Sequence, residues 1–177
     1  GPGDADCLVW ADFDATSPFE TGWEWGKPSW AKTPGTRGEA QWERPGGQRG
    51  GVLAVESRMW RGPVVAPDPM SYLELSFLSQ TESKGYYGVL YDDEDGNEVP
   101  ASVYSGVLRS DDWRTGGCVV LVPARAVAAR ILFWPRESPI RVDEICLREV
   151  TAGQALARMD AIYAKLPPIA LKPPEGR

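Results

Sequence analysis

The sequence contains no histidine at all. That absence excludes Ser-His-Asp and Cys-His catalysis, zinc sites built on imidazole, and the usual general base near neutral pH. An enzyme made from this chain would have to work with carboxylates, Lys, Tyr or Cys. A basic surplus is absent too. Nineteen Lys and Arg stand against 25 Asp and Glu, a net charge of −6, which argues against a nucleic-acid partner because phosphates need a basic surface. No run of about 18 apolar residues occurs, so no segment reads as a membrane span. Cysteine is scarce. Cys7, Cys118 and Cys146 show neither CxxC spacing nor a metal-ligand grouping. Cys118 and Cys146 fall in apolar alternating segments, where a Cys is usually a small buried hydrophobe. Three thiols allow one disulfide, and the sequence leaves its pairing open.

What the chain has in quantity is turn chemistry and tryptophan: 19 Gly, 16 Pro and eight Trp in 177 residues. Gly and Pro spread along the chain predict many short strands and turns, and the length suffices for one domain with a real core plus a tail. Strand-like segments run from CLVWADF through VLAVES, YLELSFLSQ, YYGVLY, CVVLVPA and AARILFW to IRVDEICLREV. In YLELSFLSQ, Leu73, Leu75 and Phe77 form an apolar face opposite Glu74 and Ser76. PGGQRGG reads as a Gly-rich turn, and Asp95-Gly96-Asn97 as a hairpin signal. With no helix between the strands, the expected fold is all-β, an antiparallel β-sandwich jelly roll.

The ends differ in character. GPGDAD (1–6) has the look of a remnant left by an expression tag, so the sandwich is expected over 7–151. Leu156, Met159, Ile162, Tyr163 and Leu166 then share one helical face, which predicts a short C-terminal helix over 152–166. PPIALKPPEGR (167–177) reads as a stiff Pro-rich linker to a further domain.

Two acids, Asp143 and Glu144, sit near the start of the last strand, SPIRVDEICLREV, and the first strand's segment offers Asp12, Asp14 and Glu20. First and last strands of a sandwich often lie side by side, which would gather these carboxylates. Clustered carboxylates repel unless a cation sits among them, and a hard cation with flexible oxygen ligands is Ca²⁺.

The ordered pattern of FD, GW, GGQRGGVLAV, YLELSFLSQ, DGNEV, DDW, CVVLVPA, ILFWP and IRVDEICL resembles a carbohydrate-binding module of the β-sandwich jelly-roll type. The nearest group is that attached to bacterial xylanases and other glucanases. The resemblance covers roughly residues 7–150. It implies a structural calcium ion held by Asp14 and Asp143, with Glu144 where the family usually has a second Asp. The tail resembles the junction before an esterase-like hydrolase of the SGNH type, although none of that family's catalytic motifs is present.

Sugar rings present apolar C–H faces, so such modules stack them on Trp or Tyr and bind their hydroxyls with polar side chains. With Ile131 and Phe133 facing the core, Arg130, Leu132 and Trp134 face outward. With Tyr86 and Leu90 in the core, Tyr87, Val89 and Tyr91 face outward as well. Tyr87, Tyr91, Arg130 and Trp134 are therefore expected on one open sheet face, with Trp60 and Arg61 on a turn at a strand end. Trp10, Trp23, Trp25 and Trp113 are expected in or against the core.

The function expected is non-catalytic docking on a polysaccharide or oligosaccharide. It implies an attached catalytic domain, export to the extracellular or periplasmic space, and neither nucleic acid nor membrane as partner. Two alternatives stand beside it: a structural sandwich packed on a neighbouring domain, and a lyase or hydrolase. The acids of DDEDGNEV read as a solvated hairpin tip rather than a catalytic pair.

Overall fold

The computed structural model describes residues 6–25, 40–43, 51–55, 59–107 and 110–163; the side chains of Trp25, Val52, residues 101–107, Ile162 and Tyr163 are not described. The expected tag remnant, the PGGQRGG turn apart from Gly51, Trp30, Leu166 and the Pro-rich linker thus lie wholly or almost wholly outside the described residues.

Eleven strands, one α-helix and a 3₁₀ turn (Pro18–Glu20) are found among the described residues: β1 (Val9–Ala11), β2 (Glu24–Trp25), β3 (Ala40–Glu43), β4 (Val52–Val55), β5 (Trp60–Arg61), β6 (Tyr72–Thr81), β7 (Gly85–Asp92), β8 (Glu98–Val107), β9 (Ser110–Leu121), β10 (Ala128–Pro135), β11 (Ile140–Val150) and α1 (Ala152–Tyr163). They form two antiparallel sheets. The first has the order β3-β4-β11-β6-β9 with β1 also on β11; the second has the order β2-β5-β10-β7-β8. The chain crosses between sheets at β1–β2, β2–β3, β4–β5, β5–β6, β6–β7, β8–β9, β9–β10 and β10–β11, the crossing pattern of a jelly roll. The expected fold class is met.

Alternation explains which side chains meet between the sheets. Leu73, Leu75 and Phe77 of β6 are at most 2 % exposed, facing Ile131 and Phe133 of β10, both at 0 %. Each such burial stabilises the fold by about 1.5–3 kcal/mol. Aromatic rings run through this core: Trp23 stacks on Phe133 at 6.2 Å, and Phe77 meets Phe133 edge-on at 5.1 Å and Tyr87 at 5.0 Å. Trp10 and Trp113 are half-buried, as expected of supporting rings.

The chain ends are joined twice. β1 pairs with β11 through Val9↔Leu147, Trp10↔Cys146 and Ala11↔Ile145, as expected of first and last strands. A disulfide links Cys7 to Cys146 across 139 residues. Cys146 is therefore half of a cross-link rather than a lone buried thiol, because pairing with β1 brings Cys7 to it. Cys118 is the buried free thiol the sequence implied.

The helix begins in a capping box: Thr151 Oγ accepts the Gln154 N–H at 3.1 Å, and the Gln154 side chain accepts the Thr151 N–H at 2.9 Å. It packs on β6 and β9 and is tied there by Glu74, which meets both Arg148 (2.8 Å) and Arg158 (3.5 Å). Of the expected face, Met159 is half-buried but Leu156 is turned out. Ala155 is fully buried while Leu156 is 60 % exposed, because the small side chain lets the helix approach the sheet closely.

Candidate functional site

The register between β7 and β10 decides which aromatics are accessible. Tyr87 pairs with Phe133, Val89 with Ile131 and Tyr91 with Ala129. Antiparallel partners share a face, so Tyr87, Val89 and Tyr91 lie in the core with Phe133 and Ile131. Tyr87 is 7 % exposed and Tyr91 1 %, and the Tyr87 hydroxyl donates to the carbonyl of Gly117 on the opposite sheet at 2.7 Å. This corrects the expectation that Tyr87 and Tyr91 face outward. Both faces of YYGVLY carry large side chains, so alternation within the segment did not distinguish them.

The outer face of the second sheet carries the other set. Trp134 pairs with Tyr86, their ring centroids are 5.9 Å apart, and both are half-buried. Trp134 faces outward as expected; Tyr86, assigned to the core from sequence, stands beside it. Beneath them lies a small apolar cluster of Leu132 (0 %), Met59 (2 %) and Leu90 (8 %), against which Trp134 packs. This underlay holds the indole in place. Gly85 clears the adjoining position, since a Cβ there would come within 2.3 Å of Ile140 Cδ1.

Arg136 completes the arrangement, its guanidinium carbon 5.7 Å from the Tyr86 ring centre, within cation–π range. Beside it a cavity of about 400 Å³ is lined by Glu82, Ser83, Lys84, Arg136 and Glu137, within the size range of small-ligand clefts. Two pinned turns form it. Thr81 Oγ donates to the Pro139 carbonyl at 2.9 Å, and Ser83 Oγ accepts the Ser138 N–H at 3.1 Å. Arg136 follows Trp134 by two residues, the one sequence signal that would have placed it near the same aromatic face.

Trp60 and Arg61 form β5 rather than a turn. Trp60 pairs with Phe133, is 7 % exposed and meets Phe19 edge-on at 5.7 Å; it faces the core, which corrects the expectation of an accessible indole. Arg61 pairs with Leu132 and faces outward with Arg130, farther along the strands than Trp134. Both guanidiniums share Glu24, at 3.4 Å from Arg61 and 2.9 Å from Arg130. Arg130 also donates to the carbonyls of Gly62 (2.7 Å) and Gly22 (3.4 Å), so much of it braces two loops. Burial and then the neighbouring Arg130 charge lower the Arg61 pKa, opposed by Glu24, Asp92 and Glu98. Its Nε is buried without a hydrogen-bond partner.

Asp14 and Asp143 lie where β1 and β11 run together. Asp143 is 1 % exposed and its carboxylate accepts the Glu144 N–H at 2.8 Å. It opens a bulge, between Asp143 and Cys146, in the pairing with β6, where Glu144 has φ 46°. Asp14 accepts the Gly51 N–H at 2.9 Å. Phe13 has φ 58°, its carbonyl takes the Trp42 indole N–H at 2.8 Å, and a Cβ on Gly51 would come within 1.7 Å of that oxygen. Among the described residues no three Cys, Asp or Glu side chains are grouped to hold a metal ion. The two carboxylates suit a hard cation only with backbone carbonyls supplying the other ligands.

The acids of the hairpin tip behave as turn residues. Asp93 accepts the backbone N–H groups of Asp95 and Asn97, both at 2.9 Å.

No family model matches the chain, and no curated protein is significantly similar to it in sequence. Solved structures do match in fold. The CBM22-1 xylan-binding domain of Paenibacillus barcinonensis Xyn10C aligns with a TM-score of 0.56 at 14 % identity, over 83 % of this chain and 96 % of that one. The CBM22-1 and GH10 modules of the Clostridium thermocellum N-terminal endo-1,4-β-D-xylanase 10B, complexed with xylohexaose, align at 0.61 and 13 % identity, over 82 % and 29 %. The enzymatically active domain of bacteriophage CBA120 tailspike protein 4 aligns at 0.53 and 12 % identity, over 85 % and 21 %. The chain thus spans about a fifth of the tailspike domain and nearly all of the Paenibacillus domain. At such identities the likeness is one of fold, a two-sheet antiparallel β-sandwich.

Proposed function

We propose that this chain is a non-catalytic carbohydrate-binding module that docks an attached carbohydrate-active enzyme onto a polysaccharide. The observation that carries the reading is the Trp134–Tyr86 pair, half-buried, seated on an apolar underlay and flanked by Arg136. Such rings stack on the C–H face of a sugar, while Arg136, Lys84, Glu82 and Glu137 exchange hydrogen bonds with its hydroxyls. Docking raises the local concentration of a linked enzyme on its substrate. Of the structures similar in fold, one is a xylan-binding domain and another joins such a module, complexed with xylohexaose, to a GH10 module. That the linked domain is an SGNH-type esterase is a reading of the tail sequence alone.

Asp14 and Asp143 would hold a structural calcium ion, fastening the first strand to the last. The place of Asp143, 1 % exposed at the bulge of β11 close to the end of β1, supports this reading. The Cys7–Cys146 disulfide supports an oxidising location, extracellular or periplasmic.

The test is retention on a panel of plant, algal and microbial polysaccharides with calcium present. Loss of a hot-spot stacking residue costs about 2 kcal/mol or more. Trp134→Ala is thus expected to weaken binding roughly thirtyfold while the thermal transition stays cooperative. No retention on any polysaccharide would sink the reading.

A second reading has its own observation. Leu156 (60 % exposed) and Leu121 (43 %) belong to α1 and to the β9 strand it packs on, and Met70 (57 %) bonds to the adjoining Val122. An apolar surface of this kind suits packing against a neighbouring domain. Leu156→Glu with Leu121→Glu would then loosen the linked domain without touching glycan retention.

A further inference from the structure

A second cavity opens at the same end of the sandwich, on the side of the first sheet. It measures about 270 Å³, and Gln80, Glu82, Ser110, Asp111 and Arg141 are among the residues lining it. Glu82 also lines the cavity beside Arg136, so one side chain forms a wall of both. The rim is pinned: Thr81 binds the Pro139 carbonyl, and the Gln80 amide donates to the Asp111 carbonyl. Groups already fixed lose little freedom on binding a ligand.

The lining is polar and still has bonding capacity. The side chains of Glu82, Ser110 and Asp111 make no hydrogen bond among the described residues. Arg141 spends Nε and Nη2 on Glu43, at 3.0 and 3.3 Å, which leaves Nη1. The charges are balanced or negative. Glu43 pairs with Arg141, and over the two cavities Lys84 and Arg136 then stand against Glu82, Asp111 and Glu137, which leaves one surplus acid. A polyanion gains nothing here. Hydroxyl groups, which donate to carboxylates and accept from a guanidinium, fit Glu82, Ser110, Asp111 and Arg141 on this wall.

We propose that this cavity is a second, polar subsite for an uncharged glycan chain that stacks on Trp134 and Tyr86 and continues past Glu82 over the end of the sandwich. The inference rests on the carbohydrate-binding reading and names the ligand's class and path. The test uses the full chain against xylan, mixed-linkage β-glucan and starch as uncharged polymers, and alginate and polygalacturonate as polyanions. Oligosaccharides of increasing length, cut from whichever uncharged polymer is retained, follow by titration calorimetry. The uncharged polymers are expected to be preferred and affinity to rise with length. Gln80→Ala with Asp111→Ala should remove that rise, weakening the longest oligosaccharide roughly tenfold and the shortest not at all. Glu82→Ala, at the wall that both cavities share, should weaken every length and remove the rise as well, and a thermal melt of each variant checks the fold. Preference for a polyanion, or a length dependence untouched by these variants while Trp134→Ala still abolishes binding, overturns the inference and leaves the module reading intact. Absence of any retention by the wild-type chain brings down both.

Discussion

Tyr87 of the second sheet donates its hydroxyl to the carbonyl of Gly117 on the first, at 2.7 Å, with its ring edge-on to Phe77. The bond is a polar link across the core, and it explains how a tyrosine is held there.

Tyr87→Phe removes the donor to a part-buried carbonyl, which costs about 1 kcal/mol. The expected result is a melting temperature lower by a few degrees with glycan retention unchanged. A loss of retention in this variant at full stability would mean that Tyr87, not Trp134, meets the ligand.

The Cys7–Cys146 bridge closes a long loop between β1 and β11. Removing a native disulfide from a domain typically costs about 2–5 kcal/mol. Cys7→Ser should lower the denaturant midpoint accordingly, and reduction of the wild-type protein should reproduce the shift. Equal midpoints with and without reductant would show that the two ends hold together without the bond.

Burial pushes the Cys118 thiol up to about 12. In the unfolded chain the same thiol ionises near its ordinary value, about 8.5. The folded state therefore keeps a proton that the unfolded state loses above that pH. Stability tied to Cys118 is fully present below pH about 8.5 and falls by up to about 1.4 kcal/mol per pH unit between there and 12. Cys118→Ala should flatten that part of the stability profile. In native protein the thiol should stay silent to a disulfide-exchange reagent at pH 8, and react once denaturant is added.

Calcium is expected to raise the melting temperature, because a ligand that binds only the folded state stabilises it by mass action, about 2.7 kcal/mol at a hundredfold excess over Kd. Chelator should reverse the shift, and Asp143→Asn or Asp14→Asn should abolish it. Identical melts with calcium and with chelator would remove the ion from the account.

Much of this was legible in the residues. The alternation of YLELSFLSQ placed Leu73, Leu75 and Phe77 in the core without ambiguity, because Glu74 and Ser76 had no other side to take. Asp95-Gly96-Asn97 announced its hairpin, since turn conformation is a local matter. The pairing of first and last strands followed from the jelly-roll order. β8 was harder, carrying Pro100 and little alternation, and only its pairing with β7 makes it a strand.

By itself, then, the sequence determined the class of fold, the absence of histidine chemistry, the outward place of Trp134 and the inward one of Phe133. Tertiary structure decided the rest. In YYGVLY both faces carry large side chains, so neither face was marked as core from within the segment. The register Tyr87↔Phe133 and Tyr86↔Trp134 settled it, sending Tyr87 and Tyr91 inward and leaving Tyr86 beside Trp134. Trp60 turned inward for the same reason, its place opposite Phe133. The pairing of Cys7 with Cys146 and the cavities behind Glu82 also join residues far apart in the chain. Local preference acts over a few residues, whereas a site of this kind exists only where strands distant in sequence are held in one register.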